Sequence, residues 1–180
     1  SPDGDAVGST LAWKHYLAAL GKDAVVVLPD AAPDFLHWLP QYNTIITYDK
    51  HAEDVKKVVN DADLLFCLDY NELSRTEEMQ PVIEGSKTKR IVVDHHVGPK
   101  IPSILTVSRP AASSTSELVF RLMSQLTGTQ DISHDAAVCV YCGMMTDTGG
   151  FTFNSTNPDI YLIISELLRK NIDKDVIYNK

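Results

Sequence analysis

Short, continuous apolar runs alternate along the chain with longer segments in which apolar residues recur every three or four positions. The short runs are rich in Val, Ile and Leu and predict strands, whereas the periodic segments predict helices. The predicted strands cover 24–29, 63–69, 90–96 and 103–107. The predicted helices cover 5–20, 50–60, 76–83, 113–126, 134–148 and 157–170.

Two of the predicted helices carry end signals. Gly21 directly follows the first helix, at a position where glycine commonly ends a helix. Ser114 and Glu117 have the spacing of a capping box at the start of the helix over 113–126, in which each side chain binds the backbone N–H of the other.

The order of the elements predicts the fold class. Strands that alternate with helices require crossover connections, which favour a mostly parallel sheet. The strand segments are continuously apolar, as expected when helices cover both faces of the sheet. The sequence therefore predicts an α/β fold with three layers, in which a mostly parallel sheet lies between helices on both faces.

Composition and charge argue mainly against two classes of function, nucleic-acid binding through a basic surface and membrane spanning. The 180 residues are 44% hydrophobic and 22% charged with a formal net charge of -8, so a basic nucleic-acid-binding surface is not indicated. No apolar run approaches the roughly 18 residues of a membrane span. The three cysteines lie in or beside apolar runs, which predicts free thiols, a reducing compartment and a cytoplasmic location.

Acidic residues stand where predicted strands end or where the first helix begins. Asp69 directly follows LLFCL, and Asp94 directly follows IVV. Asp3 and Asp5 stand just before the first helix, in SPDGDAVGS. Ligands of an open parallel sheet bind beyond the carboxyl ends of its strands. We therefore expect these four carboxylates to meet at one edge of the sheet.

Two histidines and a fifth acid extend this group. His95 and His96 directly follow Asp94, and Asp147 stands near the end of the helix over 134–148. Taken singly, such residues are most often turn or cap residues, or buried polar groups that need hydrogen-bond partners. Taken together, carboxylates at one edge repel each other strongly, and a bound cation keeps them ionised. Carboxylates with imidazole and no thiolate suit Mn²⁺ or Mg²⁺.

Cys139 and Cys142 have the spacing of a redox or zinc half-site. They lie on an apolar helical segment, and the sequence has no second pair to complete a zinc site. We therefore interpret them as core packing.

Four segments, in the order PDGDAVGS, LLFCLDYN, IVVDHH and MMTDTGGF, resemble the four motifs of the DHH phosphoesterase superfamily (RecJ-like). Within it they are most similar to the NrnA-type nanoRNase/pAp phosphatases. The resemblance spans nearly the whole chain and implies a DHH catalytic domain over 1–180 that lacks its first few residues, among them a metal-binding His. It also implies a C-terminal DHHA1-type substrate domain that is absent from these 180 residues.

The resemblance implies a site for two metal ions. Asp3 would bind the first ion and Asp5 the second, and Asp69 would bridge both. His95 would complete the second site, with Asp147 on the second ion or bridging. Two Mn²⁺ ions are expected as cofactors, with Mg²⁺ or Co²⁺ as alternatives.

The resemblance also implies a hydrolase that cleaves phosphate esters by a two-metal mechanism. Its catalytic residues would be Asp69, His96 as stabiliser of charge on the phosphate, and Asp94, which would orient a histidine. The NrnA-like branch implies short oligoribonucleotides or small phosphorylated nucleotides such as pAp as substrates and no membrane partner. A homodimer is an open alternative to a monomer.

Other functions stay open at this point. An exopolyphosphatase- or inorganic pyrophosphatase-related hydrolase, or a cyclic-dinucleotide phosphodiesterase, belongs to the same superfamily. A haloacid-dehalogenase-type phosphatase also uses Asp-x-Asp, but it requires Thr where Val7 stands and gives DHH no role. A nucleotide-binding module without catalysis would keep the fold, but the presence of the acids Asp5, Asp69 and Asp147 disfavours it.

Overall fold

A computed structural model describes all residues from 1 to 180. The chain forms seven α-helices and five strands, with the strands all before α4, and four short 3₁₀ segments lie at Asp34–Leu36, Tyr42–Thr44, Leu73–Met79 and Thr129–Asp131. The strands are β1 (Val27–Leu28), β2 (Ile46–Thr47), β3 (Leu64–Leu68), β4 (Lys89–Asp94) and β5 (Leu105–Ser108). The helices are α1 (Gly4–Ala19), α2 (Tyr48–Asp61), α3 (Gln80–Gly85), α4 (Thr115–Leu126), α5 (His134–Asp147), α6 (Pro158–Leu168) and α7 (Lys174–Tyr178).

All strand pairs are parallel, and the α/β class is confirmed. The strands form two sheets, with orders β1-β2 and β3-β4-β5, instead of one. Of the strand predicted over 24–29, only the two residues of β1 are paired. They pair with the two residues of β2. A cavity of about 370 Å³ lies between the sheets, lined by residues of β1 and β3.

Helices pack around these parallel sheets, and alternate side chains of β3 and β4 enter two different apolar clusters. Leu68 and Val93 join the larger cluster, with residues of α1, α4 and α5. Cys67 and Val92 join the smaller one, with residues of α2 and α3. Successive side chains of a strand point to opposite faces, so the C-terminal parts of β3 and β4 are buried on both faces, whereas β5 is partly exposed. None of the helices combines the length and the apolar character needed to cross a membrane.

The contact between α1 and α5 is unusually close. A Cβ on Gly8 would lie 2.6 Å from the carbonyl oxygen of Cys139, and a Cβ on Gly143 would clash with Ser116. Gly8 therefore lets α1 approach α5, and Gly143 lets the first turn of α4 approach α5. This approach brings Asp5, in the first turn of α1, beside Asp147, the last residue of α5.

The end signals are confirmed at α1 and half confirmed at α4. Gly21 has φ +73°, and the Gly21 and Lys22 N–H groups donate to Ala18 and Leu17, as in a Schellman motif. At α4, Ser114 Oγ accepts from the N–H of Glu117 at 3.0 Å.

The reciprocal half of the predicted capping box is wrong. The Glu117 carboxylate accepts from the N–H of Ser113 at 2.7 Å and from its hydroxyl at 2.6 Å. It therefore binds one residue before the cap, because Ser113 offers both a backbone and a side-chain donor there.

Candidate metal centre

Five segments bring polar side chains to the carboxyl edge of β3-β4-β5. Asp69 directly follows β3, and Asp94 ends β4 and is followed by His95 and His96. The N-terminal turns of α1 and α4 and the C-terminus of α5 close the site from the other side. The predicted convergence at one edge of the sheet is therefore observed for most of the residues.

Two groups of side chains could each hold a metal ion, with ligand atoms within 4.8 Å of one another. In one group, His95 Nε2 lies 3.1 Å from Asp147 Oδ2 and 3.8 Å from Asp5 Oδ2. In the other, Asp69 Oδ1 lies 3.6 Å from His95 Nε2 and 3.9 Å from His96 Nδ1. His95 belongs to both groups, so the two form one continuous centre.

Asp5 is fully buried and is held by the first turn of α4. Its Oδ2 accepts from the N–H of Thr115 at 2.7 Å, and its Oδ1 accepts from the N–H of Ser116 at 2.8 Å. Burial raises the pKa of Asp5 to about 6; the hydrogen bonds from Ser116 and Thr115 oppose this rise, and the charge of Asp147 adds to it.

Asp69 is buried in a conformation that few residues adopt. Its φ is +68°, in the left-handed region that costs L-residues about 1–2 kcal/mol and that Asp tolerates better than most. The Thr115 hydroxyl donates to Asp69 Oδ1 at 2.9 Å. Burial raises the pKa of Asp69 well above its usual range, and the negative charges of Asp5 and Asp3 raise it further.

The two histidines differ in how their rings are held. His95 Nδ1 lies 3.4 Å from the carbonyl oxygen of Ala112, which can only accept, so Nδ1 carries the proton and Nε2 faces the acids. His96 Nδ1 lies 2.7 Å from Asp94 Oδ1. While Nδ1 donates to Asp94, this nitrogen cannot serve as a ligand in the second group, and only Nε2 is left for a metal ion or another partner.

Asp94 and Asp3 lie at the margins of the centre. Asp94 is fully buried, contacts His96 rather than His95, and its Oδ2 has no hydrogen-bond partner. Asp3 is exposed and caps α1, because its Oδ1 accepts from the N–H groups of Asp5 and Ala6 at 3.0 and 2.9 Å. It belongs to neither group of potential ligands, and its role as a ligand stays a prediction.

The donor set of the centre fits divalent cations. Carboxylate oxygens and imidazole nitrogens are ligands of Mn²⁺ and Mg²⁺, and the groups contain no thiolate. The raised pKa values of Asp5 and Asp69 reflect buried carboxyl groups without a compensating positive charge, and a cation between them would supply it. Cys139 and Cys142 are free and buried in the larger apolar cluster, as the core-packing interpretation requires.

Thr115 and Ser116 were not predicted as part of the site. The stretch ASSTSE reads as a helix cap, and that reading accounts for Ser114. Its density of small hydroxyl residues was the available signal, but the partners of Thr115 lie in distant segments.

Comparisons with known proteins point to one family. The model described as "DHH family, N-terminal domain" matches residues 1–144. A bifunctional oligoribonuclease and PAP phosphatase NrnA of Thermus thermophilus is 34% identical over 93% of this chain and 47% of its own length. A probable protein of the same name from Streptococcus mutans is 29% identical over 96% of this chain and 51% of its own length.

One solved structure is more similar still. The crystal structure of an exopolyphosphatase-related protein from Bacteroides fragilis superposes with a TM-score of 0.97 at 50% identity, over 99% of this chain and 52% of that one. The chain thus spans about half the length of the relatives that it matches.

Proposed function

The chain belongs to the DHH family, and on that premise we propose that it forms the catalytic part of a phosphoesterase that uses two divalent ions, Mn²⁺ before Mg²⁺ or Co²⁺. One observation carries the proposal: His95 joins Asp5 and Asp147 on one side to Asp69 on the other. His95 Nε2 can bind one ion, and the two oxygens of the neighbouring Asp69 carboxylate could bridge that ion to a second, as a two-ion site needs.

The residues divide into ligands of two ions. Asp5, His95 and Asp147 are the proposed ligands of the second ion, and Asp69 the bridge to the first. Asp3 is the proposed further ligand of the first ion; its negative charge acts on Asp69. Bound divalent ions would lower the pKa of a water molecule and neutralise charge on the phosphoryl group.

His96 is the proposed group that stabilises charge on the phosphate. Asp94 accepts from its Nδ1, which fixes the orientation of the ring. His96 lines the same cavity as Asp3 and Asp69, and a doubly protonated ring would offer its Nε2 N–H to a phosphate there. An N–H donor at this position stabilises negative charge that develops on a phosphate oxygen.

For the substrate we propose short oligoribonucleotides or pAp-like nucleotides. The NrnA relatives from two organisms are named for these activities. The second candidate is an exopolyphosphatase-related activity, which the 50% identical structure favours by its description. We also propose a cytoplasmic location, which fits three free, buried thiols.

The test is hydrolysis by the intact protein with Mn²⁺, comparing pAp, a short RNA, cyclic-di-AMP, pyrophosphate and polyphosphate. Asp69→Ala is the inactive variant, and Asp63→Ala is its matched control, because Asp63 is an exposed acid before the other end of the same strand. We expect the wild type and Asp63→Ala to hydrolyse pAp and short RNA, and Asp69→Ala to hydrolyse neither.

Preference for polyphosphate or pyrophosphate would move the assignment to the second candidate. No Mn²⁺-dependent turnover of any of the five substrates would refute the hydrolase and favour a binding module. Equal activity of Asp69→Ala and wild type would refute the metal assignment.

A further inference from the structure

We propose that Thr115 is a positioning residue that holds Asp5 and Asp69 in the orientation needed to bind two cations. The inference rests on the proposed metal-dependent hydrolysis and adds to it a residue that binds no metal itself. Thr115 is the first residue of α4, and its side chain is fully buried.

Thr115 donates two hydrogen bonds to two carboxylates of different segments. Its backbone N–H donates to Asp5 Oδ2 at 2.7 Å, and its hydroxyl donates to Asp69 Oδ1 at 2.9 Å. Asp5 lies in α1 and Asp69 follows β3, so one residue fixes the position of an acid from each side of the centre.

The hydroxyl is not needed by α4 itself. Ser114 is the N-cap, and its Oγ accepts from the N–H of Glu117. Thr115 is the first residue of α4, so no preceding turn of this helix offers its hydroxyl a carbonyl, and the hydroxyl donates to Asp69. Its hydrogen bond therefore serves the centre rather than the helix.

Asp69 needs such a partner because its φ of +68° is a sparsely populated conformation that its surroundings must maintain. The hydrogen bond from Thr115 occupies one lone pair of Oδ1. Oδ2 and the second lone pair of Oδ1 stay free for cations.

The test compares Thr115→Val with Thr115→Ser in the intact, metal-stripped protein, titrated with Mn²⁺ by isothermal calorimetry. Valine keeps the volume and the backbone N–H but loses the hydroxyl, whereas serine keeps the hydroxyl. We expect Thr115→Val to bind Mn²⁺ about 10–100-fold more weakly, as is typical when a partner of a metal ligand is lost, and Thr115→Ser to restore the affinity.

Thr88→Val is the matched control. The Thr88 hydroxyl donates to the Val59 carbonyl at 2.7 Å. Thr88 stands just before the start of β4, whereas Asp94 is the last residue of that strand. The control therefore loses a comparable hydrogen bond away from the centre, and we expect it to bind Mn²⁺ as the wild type does.

Unchanged Mn²⁺ affinity and stoichiometry in Thr115→Val would overturn the inference while leaving the proposed function intact. Absence of Mn²⁺ binding in the wild type would refute both. If Thr115→Val does not fold, Thr115→Ala against Thr115→Ser gives the same comparison, and equal affinities of that pair would overturn the inference.

Discussion

Two helix N-termini meet at the metal centre, and they are satisfied in different ways. At α1, the N–H groups of Asp5 and Ala6 donate to Asp3, their neighbour in sequence. At α4, the N–H groups of Thr115 and Ser116 donate to Asp5, which lies 110 and 111 residues earlier. The first cap stabilises a helix, whereas the second also fixes a potential metal ligand inside the site.

The difference explains why two acids separated by one residue have different environments. Asp3 is exposed and turns toward its own helix. Asp5 is fully buried and its pKa is raised to about 6, with burial as the main cause. Two acids one residue apart can therefore serve a local cap and a distant site.

The strongest way to break the long-range cap is Asp5→Ala. We expect hydrolysis to fall at least about 10³-fold, equivalent to about 4 kcal/mol of transition-state stabilisation, because a proposed ligand of the second ion is lost. The measurement is kcat/KM with Mn²⁺ on the preferred substrate. Asp135→Ala is the control, since Asp135 is an exposed acid in the first turn of α5. A loss of less than about tenfold in Asp5→Ala would contradict the assignment.

Adding Mn²⁺ to the metal-free protein sharpens the comparison without a mutation. At 100 times the dissociation constant, a ligand stabilises the folded state by about 2.7 kcal/mol, which corresponds to a Tm increase of about 5–10 °C for a chain of this size. Thermal unfolding followed by circular dichroism measures this shift. We expect a smaller shift in Asp5→Ala, and equal shifts in the two proteins would speak against Asp5 as a ligand.

Gly143→Ala tests the helix contact that brings the long-range cap together. The added Cβ would clash with Ser116 and would lie 3.1 Å from Asp5 Oδ1. We expect the free energy of unfolding to fall by about 1–3 kcal/mol, as for overpacked sites, measured by urea denaturation. In Gly85→Ala, the control, the Cβ meets nothing within 4 Å. Wild-type stability of Gly143→Ala would show that the first turn of α4 can move away from α5 without cost.

The local cap at α1 should give the smallest effect. Asp3→Ala removes the acceptor for two N–H groups and should cost about 1 kcal/mol, whereas Asp3→Asn keeps a good N-cap and should cost almost nothing. Urea denaturation measures both. Hydrolysis by Asp3→Asn then tests the proposed ligand role separately, because wild-type turnover in this variant would reduce Asp3 to a cap.

Much of the fold and part of the site could be predicted from the sequence. The apolar runs before Asp69 and before Asp94 predict β3 and β4, and the parallel arrangement brings their ends together. The histidines after Asp94 follow from the same reasoning. The helix prediction over 157–170 matches α6, but α7 and the two-residue β2 were missed, because elements this short have no recognisable periodicity.

The sequence by itself determined the features that depend on residues close together in the chain. These are the helix period of α1, the Gly21 terminus, the Ser114 cap and the acids at strand ends. Only the tertiary structure decided that Glu117 binds Ser113, that His96 rather than His95 binds Asp94, and that Thr115 joins Asp5 to Asp69. The physical reason is the range of the contacts. Periodicity and caps depend on residues within one or two turns, whereas the centre depends on how closely α1 and α5 pack at Gly8 and Gly143.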